Sequence, residues 1–219
     1  TELETIVIKA TKNEKDVQKL PDSIVVLKGD RLKLNVTATN AEIARAVPNF
    51  NFIDDGRTAN QANIRGVGSF SSLSSDDTSV VYYMDEVPLS VFGTSSMLLD
   101  VDRIDVLRGP QGTLYGRNTQ GGAVNFVPNK PTFEDSLFLN SEIGSDGYMM
   151  GQATANGTIV PDVIAGRLAL QWSRFDGDIP NIATGGKEGD INIAGTRGTL
   201  LFSPDAGTEA TLSLNYNRS

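Results

Sequence analysis

The feature that most constrains this chain is the alternation of apolar and polar residues that begins near residue 136. In the segment 164–174, one face carries Ile, Gly, Leu, Leu and Trp, and the other carries Ala, Arg, Ala, Gln and Ser. The segment 211–218 alternates in the same way. A period of two predicts strands with one apolar face and one polar face. Five such strands are expected, near residues 136–146, 148–159, 163–175, 191–203 and 208–219.

Two kinds of sheet satisfy this pattern. In a soluble sandwich the apolar face packs on a second sheet, whereas in an outer-membrane barrel it contacts lipid and the polar face lines the lumen. The connections favour the barrel, because tight turns at 161–162 and 204–207 alternate with a long Gly-rich loop at 176–190. Trp172 and Tyr216 lie near strand ends, where the aromatic girdles of barrels are found. Five strands cannot close a barrel, so the chain is interpreted as the N-terminal part of a larger protein.

Composition limits the chemistry that is available. The 219 residues include no Cys and no His, and the formal net charge is -8. Disulfides, thiol nucleophiles and Ser-His-Asp triads are therefore excluded from this chain. An acidic chain without a basic tail is a poor ligand for nucleic acid, so no nucleic-acid partner is expected. Acidic pairs such as Asp54-Asp55 lack the spacing of a calcium loop, and no metal site, cofactor or catalytic residue is predicted.

The segment before Pro131 has a different pattern. Short apolar strands are expected at 23–27, 80–84 and 103–107, and a short helix is expected at 40–47, where Pro48 would end it. Polar loops separate these elements. The mixture predicts a small α+β domain, and the Pro-Asn-Lys-Pro sequence at 128–131 marks its boundary with the alternating strands.

An ordered series of motifs occupies the stretch from Ile64 to Pro131. It comprises Ile64–Gly68, Val81–Leu89, Val101–Asn118, Gly121–Val127 and Lys130-Pro131. On these motifs the chain resembles the TonB-dependent outer-membrane receptor and transporter family. The resemblance implies an α+β plug domain followed by the first antiparallel strands of a transmembrane β-barrel, with about 22 strands when complete. The predicted organisation is a flexible N-terminal segment at 1–20, the plug at 21–131 and truncated barrel strands at 132–219.

Upstream of these motifs, a β-branched segment is similar to the TonB box of the family. It consists of Glu4, Thr5, Ile6, Val7, Ile8, Lys9 and Ala10. In the family this segment pairs as an added strand with TonB, the periplasmic coupling protein that ExbB/ExbD supply with energy from the inner membrane. In strand addition, main-chain hydrogen bonds give affinity and alternate side chains give register. The alternative is a strand that belongs to the domain's own sheet.

Arg65 and Arg108 each lie beside a Gly within apolar flanks. A guanidinium removed from water needs partners, because an unpaired buried charge is costly. In the family, arginines at these motif positions contact glutamates on the inner barrel wall. The resemblance therefore implies a plug–barrel contact whose partners lie beyond residue 219. The alternative is a head group that reaches the surface of the domain.

Three loop segments are predicted to contact substrate, because polar and aromatic groups on loops held by a scaffold suit ligand capture. They contain Gly56, Arg57 and Asn60; Phe70, Ser71 and Ser72; and Val91, Phe92 and Gly93. The alternative is that these loops face solvent and have no ligand role.

The sequence departs from the family pattern at two turns. The usual Asp-Gly-Val-Pro reads Asp85-Glu86-Val87-Pro88, and the usual Pro-Gly-Val reads Pro48-Asn49-Phe50. If these Gly positions require a positive φ, Asn49 adopts it easily and Glu86 less so. A cluster of glycines predicts further tight turns with positive φ, at Gly109, Gly112, Gly116, Gly121 and Gly122.

The resemblance implies active transport across the outer membrane of a Gram-negative bacterium, without enzymatic change to the substrate. The expected ligand is a ferric siderophore or similar iron complex, with cobalamin, haem or an oligosaccharide as alternatives. Expected partners are TonB with ExbB/ExbD, the ligand and outer-membrane lipid. A passive porin-like barrel and a soluble binding module are the rival functions. A transducer that also signals to gene regulators would need an additional N-terminal domain.

Overall fold

The structure is a computed structural model, and it describes residues 7–8, 15–16, 23–29, 40–54, 60–68, 79–89, 99–182, 185–205 and 207–218. The chain divides into two compact units, Thr1–Pro128 and Asn129–Ser219. The division falls within the proline-bounded sequence at 128–131. Each unit has its own sheets, and each is described by itself below.

Within its described residues, the first unit contains ten short strands and two helices. In chain order they are β1 Val7–Ile8, β2 Lys15–Asp16, β3 Ser23–Lys28, α1 Asn40–Ala46, β4 Phe50–Asp54, β5 Asn60–Ile64, β6 Val67–Gly68, β7 Val80–Met84, β8 Val87–Pro88, β9 Val101–Arg108, α2 Gly112–Tyr115 and β10 Gly122–Pro128. The main sheet has the order β3-β9-β10-β7-β8, and β10 is parallel to β7 but antiparallel to β9. A second sheet has the order β4-β5-β6, and β1 pairs with β2. This is the predicted α+β architecture.

The main sheet is buried on both faces. On one face Ile104, Val124 and Phe126 are fully buried in a core that also contains Ile43 and Val47, from α1 and the residue after it. On the other face Leu107 and Ala123 form a second cluster with Tyr83 and Tyr115. A strand covered on both sides reads as a nearly continuous apolar run rather than an alternating one. Strand β10 follows this rule, with Asn125 as its one polar side chain, and therefore lacks the period that marks the later strands.

Helix α1 ends where the sequence predicts an end. The amide of Val47 still donates to the carbonyl of Ile43 at 3.0 Å, but Pro48 cannot continue the ladder. Asn49 then adopts a φ of 59° and turns the chain into β4. Within the described residues, neither helix is long and apolar enough to cross a membrane.

The second unit is a single antiparallel meander with one small hairpin. Its elements are β11 Ser136–Ile143, β12 Met149–Val160, β13 Ile164–Phe175, β14 Ile179–Pro180, β15 Lys187–Glu188, β16 Ile191–Asp205 and β17 Thr208–Arg218. The sheet order is β11-β12-β13-β16-β17, and β14 pairs with β15 inside the long loop. The five predicted strands are confirmed, with ends that lie within three residues of those expected.

The two faces of this sheet differ in polarity and exposure. The apolar face is exposed: Leu168 is 48%, Trp172 43% and Leu214 71% accessible. The opposite face is polar and carries buried residues such as Asn156 and Arg197. A soluble sandwich would cover its apolar face. An apolar outer face with a polar inner face is the arrangement of a transmembrane barrel wall.

Candidate functional site

Arg65 occupies an unusual backbone position. Ile64 pairs with Val67, so Arg65 and Gly66 form the two-residue turn between β5 and β6, with φ values of 53° and 80°. Both values are positive, as a type I′ hairpin turn requires, and Asn, Asp or Gly normally fill such positions. The amide of Arg65 donates to the carbonyl of Asn49 at 2.8 Å. A long cation held at positive φ is a strained placement that points to a role for its side chain.

The side chain of Arg65 approaches the end of β9. A Cβ on Gly109, which has a φ of 106°, would lie 3.7 Å from Nη1 of Arg65. Arg108, the last residue of β9, donates from Nη1 to the carbonyl of Pro48 at 3.3 Å. Residues 48 and 49 therefore accept hydrogen bonds from the side chain of one arginine and the backbone of the other. The structure brings the two predicted arginines together at one turn.

Within the part of the chain that the structure describes, the arginine pair retains unused donors. The Nε of Arg108 is buried and has no hydrogen-bond partner among those residues. Among the described residues, no carboxylate lies within ion-pair distance of Arg65 or Arg108. Because a guanidinium presents five donors in a rigid fork, this pair is suited to carboxylate partners from another segment. No three His, Cys, Asp or Glu side chains in the described part of the chain are grouped so as to hold a metal ion.

Two adjacent glycines allow the backbone to approach closely the strands that carry the arginine pair. A Cβ on Gly121 would lie 2.8 Å from the carbonyl oxygen of Val67, and a Cβ on Gly122 would lie 2.2 Å from that of Leu107. Gly122 also has a φ of 148°, and Gly109 donates to the carbonyl of Gly121 at 3.0 Å. The predicted positive φ is present at Gly109, Gly116 and Gly122. Gly112 instead begins α2, and Gly121 is required for space rather than for φ.

A buried acid lies on the other face of β9, and the sequence analysis did not identify it. Asp105 is fully buried, and its two carboxylate oxygens lie 3.3 and 3.4 Å from Nε of Arg103. Burial raises the pKa of Asp105 to about 6, although the nearby Arg103 acts in the opposite direction. The signal in the sequence is weak, because Asp105 is one of two acidic residues in β9 and the other, Asp102, is exposed. Burial also raises the pKa of Tyr115, whose carbonyl accepts a 2.6 Å hydrogen bond from the hydroxyl of Tyr83.

The turn at Asp85-Glu86 repeats the geometry of the Arg65 turn. Met84 pairs with Val87, and the two turn residues have φ values of 51° and 68°. The amide of Glu86 donates to Oδ1 of Asn125 at 3.2 Å, which anchors the turn to β10. Asn49 and Glu86 therefore both adopt the positive φ that the family's glycines would accommodate, and Glu86 does so at greater cost.

The remaining predicted site residues are only partly described. Within the predicted TonB box, Val7 pairs with Asp16 and Ile8 with Lys15 in a two-stranded sheet separate from the main one. Asn60 begins β5, where it pairs with Asp54, so it lies in a strand rather than in the predicted loop. The other predicted positions lie outside the described residues: Glu4, Thr5, Ile6, Lys9, Ala10, Gly56, Arg57, Phe70, Ser71, Ser72, Val91, Phe92 and Gly93.

Comparison with known proteins identifies the first unit. The family model described as TonB-dependent Receptor Plug Domain matches residues 16–123, which include both arginines and the glycine cluster. The chain belongs to the TonB-dependent receptor family. The first unit is therefore the plug, the second unit is the start of the barrel, and the protein is located in the outer membrane of a Gram-negative bacterium.

Individual relatives support the assignment over both units. The chain is 30% identical to the pesticin receptor of Yersinia pestis over 179 residues, which is 81% of this chain and 26% of the relative. It is 28% identical over 125 residues to the catecholate siderophore receptor Fiu of Escherichia coli, which is 51% of this chain and 16% of the relative. The ferric yersiniabactin uptake receptor FyuA from Yersinia pestis superposes with a TM-score of 0.82 at 27% identity, over 90% of this chain and 31% of that structure. The matched part of the chain thus spans about a quarter of the pesticin receptor and about a sixth of Fiu.

Proposed function

We propose that this chain is the N-terminal part of a TonB-dependent active transporter that imports a ferric siderophore or similar iron complex. The observation that carries the proposal is the plug domain directly followed by strands with an exposed apolar face. Relatives named as receptors for catecholate siderophores and ferric yersiniabactin support the ligand class. The chain contains no His, so this portion offers no imidazole as an axial haem ligand, which favours a siderophore over haem.

In the proposed mechanism, ligand binds from outside and the N-terminal segment reports binding to the periplasm. Residues 4–10 add as a strand to TonB, which ExbB/ExbD energise, and the plug then rearranges to open a path. The substrate loops are those that contain Arg57, Phe70 and Phe92. No bond of the substrate is made or broken, so the protein is not an enzyme.

The arginine pair is proposed to hold the plug against carboxylates of the barrel wall beyond residue 219. Three features of the pair support this contact: the strained turn at Arg65, the buried Nε of Arg108 without a partner among the described residues, and the shared anchor at 48–49. Arg65→Gln and Arg108→Gln should each lower uptake several-fold with normal insertion into the membrane. Arg117→Gln, at an exposed residue after α2, is the matched control and should leave uptake unchanged.

Growth of a deletion strain under iron limitation tests the function. The full-length gene should restore growth on a purified ferric siderophore, and Ile6→Pro should abolish it, because proline removes a backbone donor needed for strand addition. Asn13→Pro, outside the predicted TonB box, is the control and should retain growth. If the intact gene supports growth on none of the candidate iron complexes, the siderophore assignment is wrong. If Ile6→Pro grows like the control, dependence on TonB through this segment is wrong.

A further inference from the structure

The outward face of the five-stranded sheet is ridged rather than flat. Strand register places large side chains side by side along β11, β13 and β17, with small ones along β12 and β16 between them. The ridges are formed by Leu137 and Leu139 on β11, by Leu168, Leu170 and Trp172 on β13, and by Leu212, Leu214 and Tyr216 on β17. The floors between them are formed by Gly151, Ala153 and Ala155 on β12 and by Ala194, Thr196 and Gly198 on β16.

Both grooves are unfilled by the protein. An outward Cβ on Gly151 or on Gly198 would meet no atom within 4 Å. The groove over β12 is open along its outer side and has a volume of about 480 Å³. Its lining includes Leu139, Leu170 and Trp172. Both grooves end near Gly166, where the side chains of Ile159 and Leu200 fill the space. A Cβ on Gly166 would lie 2.7 Å from Cδ1 of Ile159 and 3.6 Å from Cδ2 of Leu200. The grooves are therefore closed toward the tight turns and open toward the long loop.

In a membrane these grooves must be occupied, because unfilled space forfeits dispersion contacts on the walls that line it. The floor from Ala194 to Gly198 extends over about 13 Å at the usual strand rise. That shape fits extended acyl chains lying along the strands. The long loop marks the extracellular end of barrel strands, so the grooves open toward the outer leaflet.

Positive charge on this face is confined to the same end. Among the described outward residues of the five strands, the basic ones are Arg174 and Arg218, and both lie near the long-loop end, whereas the acidic Asp205 lies at the opposite end, paired with Thr208. Arg174 pairs with Asn192 and Arg218 pairs with Ala194, so the two arginines flank the open end of the β16 groove. Arg174 uses its Nε to bond Asp176 at 2.9 Å, which leaves its terminal nitrogens for another anion.

The aromatic residues below the arginines complete an interfacial pattern. Trp172 and Tyr216 lie on the two ridges that border the β16 groove, and each is two residues farther from the long-loop end than the arginine of its own strand. The indole Nε1 of Trp172 donates to Oδ1 of Asn192 at 3.3 Å, so the rim of the groove is polar. Amphipathic rings of this kind sit at head-group level in barrels. Guanidinium groups at this depth match phosphate, which they bind with paired hydrogen bonds.

We propose that the outward face over β12–β17 is a docking site for a phosphorylated, multiply acylated lipid of the outer leaflet. Its acyl chains lie in the two grooves on either side of the Leu168–Trp172 ridge. Its head-group phosphate contacts Arg174 and Arg218. The site is independent of the transported ligand, since it faces away from the lumen.

Lipid binding by the delipidated full-length protein tests the proposal, with lipid A and chemically dephosphorylated lipid A as probes and native mass spectrometry as the readout. The double variant Arg174→Gln, Arg218→Gln should bind lipid A at least about tenfold more weakly, the loss expected for one or more charge-assisted hydrogen bonds. Dephosphorylated lipid A should bind the double variant and the unaltered protein equally. Gly198→Leu should weaken the binding of both probes, because its side chain fills the groove.

Arg167→Gln is the matched control, because Arg167 lies on the same strand as Arg174 but on the opposite face, and it should bind like the unaltered protein. Resistance of the folded barrel to sodium dodecyl sulfate checks that each variant folds, and Thr196→Leu replaces Gly198→Leu if that variant does not. Equal binding of lipid A by the double variant and the unaltered protein would overturn the phosphate contact. Equal binding after the groove is filled would overturn the acyl-chain site.

Discussion

The plug sheet and the barrel sheet of this chain both contain β-branched and aromatic residues, yet their apolar side chains have different surroundings. In β9 and β10 of the plug, Ile104, Val106, Val124 and Phe126 are fully buried by protein. In β13 of the barrel, Leu170 and its outward neighbours are about half exposed. Strand propensity alone therefore does not distinguish the two sheets. The medium on each face distinguishes them, because an apolar face can contact lipid in a membrane but must be covered by protein in water.

The largest expected difference concerns loss of an apolar side chain. Phe126→Ala should destabilise the plug by about 3–5 kcal/mol, because it removes transfer energy and leaves a cavity in a closely packed core. Leu214→Ala on the exposed barrel face should cost less, on the order of 1–2 kcal/mol, because fluid lipid fills the space. Hydrogen exchange of the full-length protein in lipid vesicles measures both effects. Equal losses would show that the outward face is packed like a protein core.

Insertion of a charge sharpens the contrast between the two faces of one strand. Leu170→Arg should destabilise folding into phosphatidylcholine vesicles by about 2–4 kcal/mol, the cost of arginine facing the middle of the hydrocarbon. Gln171→Arg, one residue away on the polar face, should have little effect. Urea titration of folding in vesicles provides the measurement. A similar cost at both positions would contradict the assignment of the outward face.

The buried acid of the plug predicts a dependence on pH that the barrel strands lack. The folded-state pKa of Asp105 is raised to about 6, above its usual value of 3.8, by burial. The protonated form therefore contributes stability that is fully present below about pH 4 and is lost as the pH rises through about 6. Asp105→Asn should remove this dependence and should stabilise the plug near pH 7, by an amount on the order of 2 kcal/mol.

Hydrogen exchange of β9 amides at several pH values, with and without Asp105→Asn, checks this prediction. Asp85→Asn, at an exposed turn residue of the plug, is the control. An unchanged pH profile in Asp105→Asn would mean that the ion pair with Arg103 offsets burial fully.

The smallest expected effect concerns backbone strain at a plug turn. Glu86 has a φ of 68°, so Glu86→Gly should stabilise the plug by about 1 kcal/mol, because glycine adopts that conformation without steric cost. Asp85→Gly should gain less, since aspartate tolerates the left-handed region better. Exchange of the amides in β7 and β8 reports on this turn. If Glu86→Gly destabilises, the side chain of Glu86 has a contact that outweighs its strain.

Sequence reasoning performed differently in the two units, for a physical reason. In the barrel, each strand shows its own period, so five strands and their apolar face could be predicted from local pattern. In the plug, β3, β7, β9 and α1 were predicted, but β4, β5, β10 and α2 were not. Strand β10 begins at Gly122, directly after Gly121, and pairs in parallel with β7, which is about 40 residues earlier in the chain. Such a pairing depends on contacts that no local window contains.

In the candidate site, too, local motifs could be predicted from the sequence and long-range contacts could not. The motifs identified Arg65 and Arg108 as a related pair, and they implied a positive φ at Asn49 and Glu86 if the family's glycine positions require one. They did not indicate that both arginines converge on the turn at 48–49, or that Gly121 is needed for space. Asp105 was missed because Asp102 and Arg103 beside it are also charged, and no local pattern marks which of these charges is buried.

The period of the barrel strands, the residues that face lipid and the family motifs of the plug could be predicted from the sequence alone, because each depends on neighbouring residues. The folded structure was needed to show which strands pair in the plug, which polar groups are buried and where the arginines converge. Those features arise from segments far apart in the chain, where burial and close approach of backbones are set by packing rather than by local preference.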